Sequence, residues 1–401
     1  MKIFMIMRKF LVVIFCFLTF YACETEESGV ILQENNSSSK KNFIEGYVPE
    51  GKVKTITLPN ELKVSVDEAG NYFHEDIVFP KQFIDSISKQ GPMTRGAAER
   101  DYTLYWTNNI VPYEIAPGFS SFEEDMIMQA ISTIENNSCL KFVEASSKDK
   151  NLIYFYTSTR KGIYTNMVGR NPYGINKIHL QHLNFTDGDV LHEIMHCLGF
   201  YHEHCRSDRD NYLTILFHNM YYDSAIFDQY KKESRRNVIN INSFDYKSIM
   251  LYGSYAASEG GLPTMLKKDG QRVYGQKRSL SAGDIEALNL LYGPKIHLKR
   301  SHLYNISTGK EFIKKYSNTI HFLDMNGKEV ALKYPRIVFY KTYTKSYDSI
   351  TNRKDIFYSS PTSFIVGAGV SSVDLGKSTY RYQKNEKGED SYIEKGYCIM
   401  N

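Results

Sequence analysis

Hydrophobic and polar positions along this chain alternate with two periods, and the periods divide it into elements. Ile127, Ala130, Ile131 and Ile134 recur at helical spacing, which predicts an amphipathic helix from about Phe122 to Asn136, with Ser121 and Glu124 as a capping box at its start. Strand-like alternation occurs at Val64-Ser65-Val66 and Ile77-Val78-Phe79, and Leu152 to Tyr156 and Lys177 to Leu180 read as strands separated by Gly- and Asn-containing turns. Asp187 or Asp189 can start a helix that carries Val190 to Leu198, and Gly199 can end it. A last helical pattern, Ile285, Leu288, Leu291 and Tyr292, stops at Gly293-Pro294. Beyond it the chain is rich in Tyr, Thr, Val and Ile in short runs, which predicts a small β-rich module.

The N-terminal pattern is different in kind. Lys2, Arg8 and Lys9 precede an apolar run from Phe10 to Ala22 that is too short for a comfortable membrane span and reads as a signal peptide. Phe20-Tyr21-Ala22-Cys23 resembles a bacterial lipoprotein cleavage box, which would make Cys23 the lipidated first residue; the alternative is ordinary secretory cleavage near Ala22. Glu24 to Lys41 is rich in Glu, Asn and Ser without periodicity and reads as a flexible tether. Gly91 to Arg100, GPMTRGAAER, reads as an exposed, protease-accessible linker. The expected organisation is therefore a signal (1–22), a tether and prosegment (23–95), a main domain (96–293) and a β-rich accessory domain (294–401). The expected location is outside the cytoplasm, as a bacterial envelope or surface lipoprotein, or secreted after processing.

Composition narrows the picture only slightly. With 401 residues, 42% of them hydrophobic, the chain can bury a sizeable core, and wholesale disorder is excluded. A mean hydropathy of -0.40 leaves room for no more than one membrane-like segment. The net charge of +4 gives no reason to expect a nucleic-acid partner. Residues 294–401 hold 18 Lys and Arg against 10 Asp and Glu, a net of +8. Beyond Cys16 and Cys23, four cysteines remain, Cys139, Cys197, Cys205 and Cys398, and four allow three pairings.

The chemistry concentrates in HEIMHCLGFYH, residues 192–202. Two histidines four apart on a helix project from one face, with side chains roughly 5–6 Å apart, so His192 and His196 can reach one ion. Glu193 points near that ion without occupying the histidine positions and can take a proton from water there. Gly199 allows a left-handed turn that other residues resist, and the turn brings His202 back as a third nitrogen. Three neutral imidazoles leave zinc one open coordination position, which is hydrolase architecture. Five fixed positions in this pattern are roughly a one-in-ten-million coincidence per starting point.

The pattern H-E-x-x-H-x-x-G-x-x-H is similar to that of the metzincins. The continuation Glu203-His204-Cys205-Arg206-Ser207-Asp208-Arg209-Asp210 closely resembles the signature of the astacin family, and Ser248-Ile249-Met250-Leu251-Tyr252 resembles its Met-turn, with Leu251 in place of the usual His. The resemblance covers about residues 96–293. It implies an α+β fold, with a mixed twisted sheet and a zinc-binding active-site helix, and the activity of a zinc endopeptidase on protein or peptide substrates. It implies that Met250 lies beneath one catalytic Zn2+, that Tyr252 is an additional ligand and oxyanion donor, and that Glu203 binds the new N-terminus of the processed enzyme. An activating protease would cut near Arg95 or Arg100. Phe73-His74-Glu75-Asp76 resembles the prosegment motif whose aspartate blocks zinc, so Asp76 would be a latency switch, although Glu75 replaces the usual Gly. The usual partner of Cys139 is Gly293 here, so Cys139 with Cys398, Cys197 with Cys205, or a free thiol beside zinc are all open. Contact with the membrane is expected through the N-terminal lipid alone. The competing class is an inert envelope adhesin or ligand-binding protein acting through its C-terminal module.

Overall fold

The first long helix, α1 (Ser121–Asn137), starts one residue earlier than the pattern predicts. Ser120, not Ser121, is the N-cap, and Glu123, not Glu124, closes the box. Both pairs satisfy the same spacing rule. The choice falls to Glu123 because its carboxylate is buried, accepting from Ser120 N and Oγ (2.8 Å each) and from Leu183 N in a distant loop (2.8 Å). Ile127, Ala130, Ile131 and Ile134 are buried on the predicted face. The remaining long helices are α2 (Asp187–Cys197), capped by Thr186 with Asp189, and α4 (Ala282–Tyr292), capped by Ser281 with Asp284. Between them lies the short α3 (Ser224–Gln229).

The computed structural model describes residues 46–47, 49–57, 63–74, 77–79, 81, 84, 98, 102–221, 224–232, 240–241, 243–308, 311–324, 326–348, 351, 353–384 and 390–400. Cys23, Asp76, Arg95 and Arg100, with the expected signal and tether, lie outside them. Ala98 is the single described residue of the expected linker, and there the expectation of exposure fails: Ala98 is fully buried and forms an antiparallel bridge with Phe200. A small side chain in a polar stretch can enter a core that a longer one could not.

Ten strands form the larger sheet. Its N-terminal members are β1 (Gly46–Tyr47), β2 (Lys54–Thr57), β3 (Lys63–Val66), β4 (Tyr72–His74) and β5 (Ile77–Phe79). The others are β6 (Ile110–Ile115), β7 (Lys141–Glu144), β8 (Ile153–Tyr156), β9 (Gly162–Thr165) and β10 (Asn176–His179). The order is β2-β3-β4-β5-β9-β10-β8-β6-β7, with β1 also on β9. β7, β6, β8 and β10 run parallel to one another, and β9 is antiparallel to β10. The N-terminal strands form an antiparallel meander that extends this sheet. Val64, Ile77, Phe79 and Ile84 from the meander bury themselves against Leu104, Met167 and Val168. A two-stranded antiparallel sheet, β11 (Leu213–Ile215) with β12 (Met265–Lys267), is separate from it.

The predicted β-rich segment is a seven-stranded antiparallel sheet, in the order β13 (Lys295–Thr308), β14 (Glu311–Leu323), β18 (Ser372–Lys384), β19 (Asp390–Ile399), β15 (Arg336–Asp348) and β16 (Arg353–Tyr358), with β17 (Thr362–Val366) also on β15. The start of β15 carries residues that join the core of the first sheet. Ile337 and Phe339 are buried in the same cluster as Ile194, Met195 and Leu291, and Phe339 packs against Tyr105 at 5.9 Å between ring centres. Arg336 is buried too and donates to the carbonyls of Leu290 and Leu291, at the electron-rich C-terminal end of α4. Its Cδ fills the space that a side chain at Gly293 would need, 2.8 Å from an added Cβ. Burial holds this guanidinium at about 10, below its usual pKa.

Phe339→Ala removes a ring from the main core and should cost about 3–5 kcal/mol, read as a lowered urea midpoint with an unchanged slope. A change under about 1 kcal/mol would mean that the C-terminal sheet is only loosely attached. His179, fully buried, donates from Nδ1 to Gly162 O (2.9 Å) with Ser158 Oγ at Nε2 (2.9 Å). Burial lowers its pKa from 6.5 to about 4. Between those two values the unfolded chain takes a proton there that the folded chain refuses, so this stabilisation is complete above the higher value and fades towards the lower. His179→Gln should remove that part of the acid sensitivity. Identical slopes of stability against pH in the two proteins would contradict the assignment.

Candidate metal centre and catalytic cleft

Helix α2 delivers the first two histidines, and a glycine turn delivers the third. Leu198 ends the helix, Gly199 takes φ = +102°, and its N–H returns to His196 O (2.8 Å) while Phe200 N returns to Met195 O (3.1 Å). The left-handed conformation requires glycine at this position. The chain then reverses, and His192, His196 and His202, all fully buried, present ring nitrogens within 4.8 Å of one another.

Hydrogen bonds at the back of the rings set which nitrogen faces inward. His192 Nδ1 lies 2.8 Å from Ile249 O, and His196 Nδ1 lies 2.6 Å from Phe200 O. A carbonyl can only accept, so each Nδ1 carries the proton and each Nε2 keeps a lone pair for a metal. His192 Nε2 and His202 Nε2 are 3.1 Å apart. A tetrahedral ion with bonds of about 2.0–2.1 Å asks for roughly 3.3 Å between its nitrogens, a spacing that this pair nearly matches. His202 also stacks on His204 (5.0 Å) and lies 4.4 Å from the Tyr252 ring. Glu193 and Tyr252 are both buried.

A second group of residues holds the turn beneath the histidines. Asp284, the capping residue of α4, accepts from Ser248 Oγ (2.7 Å) and Ile249 N (2.9 Å), and Ser248 Oγ accepts from Met250 N (3.0 Å). The same turn offers Ile249 O to His192, and Met250 is buried in the main core. Asp284 thus orients a histidine through one peptide unit. Its sequence signal, Ser-x-x-Asp at a helix start, accounts for the cap and conceals this second contact.

Glu203 follows His202 directly. Its N–H bonds to Met250 O (2.8 Å), and its carboxylate accepts from Asp245 N (2.8 Å) and from the buried Arg206 (3.2 Å). Burial pushes its pKa up to about 8. Arg206 is shared with Asp208 and also donates to Ile241 O (2.8 Å). Arg209 pairs with Asp210 and donates to His204 O (2.8 Å). The charged run after His202 is therefore an internal brace. A small cavity of about 30 Å3 borders Glu203, Asp245 and Asp284, with Phe200, Tyr201 and Met250 in its wall.

The cysteines take none of the pairings left open. All four are free thiols: Cys197 lies 3.1 Å from Thr165 Oγ1, Cys205 bonds to Gln229 O (3.0 Å), and Cys139 is half-buried, its N–H on Tyr292 O. Cys197 is fully buried in α2, with its pKa raised to about 12 by burial.

Because Asp284 fixes the carbonyl that orients His192, Asp284→Asn should weaken zinc affinity by about 10–100-fold, measured by competition with a chromogenic chelator. Unchanged affinity in a folded variant would show that the turn does not need this carboxylate.

Comparison with known proteins gives the family. The Astacin peptidase family matches residues 98–293. The zinc metalloproteinase nas-4 of Caenorhabditis elegans is 33% identical over 236 residues, which is 58% of this chain and 72% of that protein. Zinc metalloproteinase nas-7 of the same organism is 31% identical over 226 residues, 56% of this chain and 55% of that protein. Among solved structures, high choriolytic enzyme 1, a hatching enzyme zinc-protease from Oryzias latipes, is 28% identical and covers 49% of this chain and 98% of its own, with a TM-score of 0.44. The chain belongs to the astacin family and is a zinc-dependent endopeptidase.

Proposed function

We propose that the chain is made as a latent precursor whose residues 96–293 carry the peptidase, with His192, His196 and His202 holding the ion and Glu193 and Tyr252 acting on the substrate. The observation that carries this reading is the pair of Nδ1-to-carbonyl bonds that aims two Nε2 lone pairs at one point. Zinc, when bound, supplies a Lewis acid that polarises the scissile carbonyl and acidifies water. Glu193 takes the proton of the attacking water and passes it to the leaving amine, work that suits a buried carboxylate on the helix turn between two ligands. Tyr252, its ring against His202, donates its hydroxyl to the developing oxyanion. Met250 is the apolar floor under the histidines.

The precursor reading rests on the N-terminal strands and on Ala98. Removal of the segment before the linker would free the outer edge of β9, to which β1 and β5 are bonded. A cut after Arg95 leaves Gly96 and Ala97 ahead of Ala98, whose bridge to Phe200 puts it next to a wall of the Glu203 cavity. Two residues span at most about 7 Å, enough for the new ammonium group to approach the Glu203, Asp245 and Asp284 carboxylates. A cut after Arg100 would instead remove Ala98 from its buried bridge, so Arg95 is the better activation site. Asp76, directly before β5, is the proposed block on zinc. Export through the segment before Ala22, with Cys23 as a lipid anchor to a bacterial envelope, completes the proposal and rests on the sequence alone. Among the described residues no helix is long and apolar enough to cross a membrane.

Casein digestion by the processed protein tests the chemistry. Glu193→Gln should reduce kcat/KM by more than about 1,000-fold while zinc content stays at one equivalent, and a chelator should abolish wild-type cleavage reversibly. Cleavage that survives either treatment would contradict the assignment.

A further inference from the structure

The C-terminal sheet gives Ile337 and Phe339 to the main core, but farther along the strands its two faces differ in kind. Directly opposed residues of neighbouring strands share a face. One row across the sheet is Phe312, Tyr382, Tyr392, Tyr347 and Lys354. The next row is Lys314, Tyr380, Glu394, Lys345 and Ile356. In the third, Tyr316 is opposite Ser378, and beyond Gly396 Tyr343 is opposite Tyr358. These rows put eight rings on one face, whereas the residues between them give the other face only Phe357. None of the eight belongs to a hydrophobic core among the described residues, so core packing does not account for them.

The rings hold cations and one another. Tyr380 stacks on Tyr392 (5.4 Å), and Tyr392 leans on Tyr347 (5.7 Å). Lys345 lies over Tyr343 (4.8 Å), Lys354 over Tyr347 (5.7 Å) and Lys314 over Phe312 (5.8 Å). Arg300 of β13 lies over Tyr316 (3.9 Å) and donates to Glu394 of β19. That bond crosses β14 and β18, so the sheet is curled into a trough towards this face. Tyr343 donates its hydroxyl to Glu394 (3.0 Å), and its ring fills the space that a side chain at Gly396 would need, 2.7 Å from an added Cβ. Glu394 is thus engaged twice, while Lys314, Lys345 and Lys354 have no ion-pair partner among the described residues.

We propose that this trough is a docking surface for a sulfated polysaccharide, whose sulfates meet Lys314, Lys345 and Lys354 and accept from the tyrosine hydroxyls beside them. Binding here does not depend on the endopeptidase activity. Charge complementarity carries the assignment: residues 294–401 have a net charge of +8, and in these rows one carboxylate, already engaged, stands among the three lysines. Lys314 and Lys345 share a row three strand spacings apart, about 14 Å along the sheet, with Lys354 one strand further. That spread suits a repeating polyanion better than a small ion. An ammonium is a compact point charge without the planar fork that matches a carboxylate, and the one guanidinium is occupied by Glu394, so the lysines favour sulfate. Ring faces covered by cations and by other rings are closed to stacking bases, which argues against single-stranded nucleic acid.

The test titrates the intact protein into a fluorescently labelled heparin octasaccharide and follows anisotropy. Wild type should bind in the micromolar range and lose at least about tenfold when the sulfates are removed from the same octasaccharide. Replacing Lys314, Lys345 and Lys354 together by Gln should weaken binding by at least about tenfold, whereas the same change at Lys315, Lys377 and Lys395, on the opposite face, should cost less than about twofold. Equal losses in the two triple variants would mean attraction to net charge alone and would overturn the proposal. So would no binding up to about 1 mM, or equal or tighter binding of the desulfated sugar or of an oligothymidylate of the same charge. If the first triple variant does not fold, the wild-type ranking of the three probes decides, together with Lys354→Gln at an exposed position. That single change should cost about threefold, and unchanged affinity would overturn the proposal.

Discussion

Two hydrogen bonds behind the candidate metal-binding histidines organise the rest of the site. An imidazole can bind a metal through either nitrogen, and a flexible ring would present both. Donation from Nδ1 of His192 to Ile249 O, and from Nδ1 of His196 to Phe200 O, removes that choice before any ion arrives. Each carbonyl sits in a turn that needs its own support. Phe200 is placed by the left-handed Gly199, and Ile249 by the buried Asp284. The candidate metal centre is thus a small network in which two loops and one helix fix one another's backbone.

That network is enclosed from two directions. On one side the N-terminal meander extends the protease sheet through β5 and β9 and shares a small apolar core with it. On the other, the C-terminal sheet adds Ile337 and Phe339 to the main core and places Arg336 on the end of α4. Tyr292 at that helix end donates to Leu198 O (2.8 Å), the residue before the glycine turn. A continuous path of contacts therefore runs from β15 to the turn that carries His202. The C-terminal sheet supports the peptidase domain physically.

Much of the site is legible in the sequence because its chemistry depends on spacing. Residues 192–202 encode a helix face, a glycine turn and a returning ligand in one uninterrupted run, and the strands around Phe155 and Ile178 follow from local pattern. Other features depend on distant partners and leave no local trace. The start of α1 is ambiguous in sequence because Ser120 and Ser121 offer equivalent caps, and the contact of Glu123 with Leu183, 60 residues away, decides it. β9 is buried at all four positions, so no alternation marks it as a strand. Ala98 resembles part of a polar linker and Arg336 a surface cation, yet each is buried by residues far away in sequence. Asp284 has the local signature of a helix cap, and its second contact needs the Met-turn folded against it.

The central claim is that three Nε2 atoms, fixed by bonds at the opposite side of two of the rings, converge on one zinc ion. Anomalous diffraction at the zinc edge from crystals of the purified protein tests it most directly. The account predicts a single peak about 2.0–2.1 Å from Nε2 of His192, His196 and His202. A peak bonded to either Nδ1, or no peak within reach of these three rings in metal-replete protein, would contradict it.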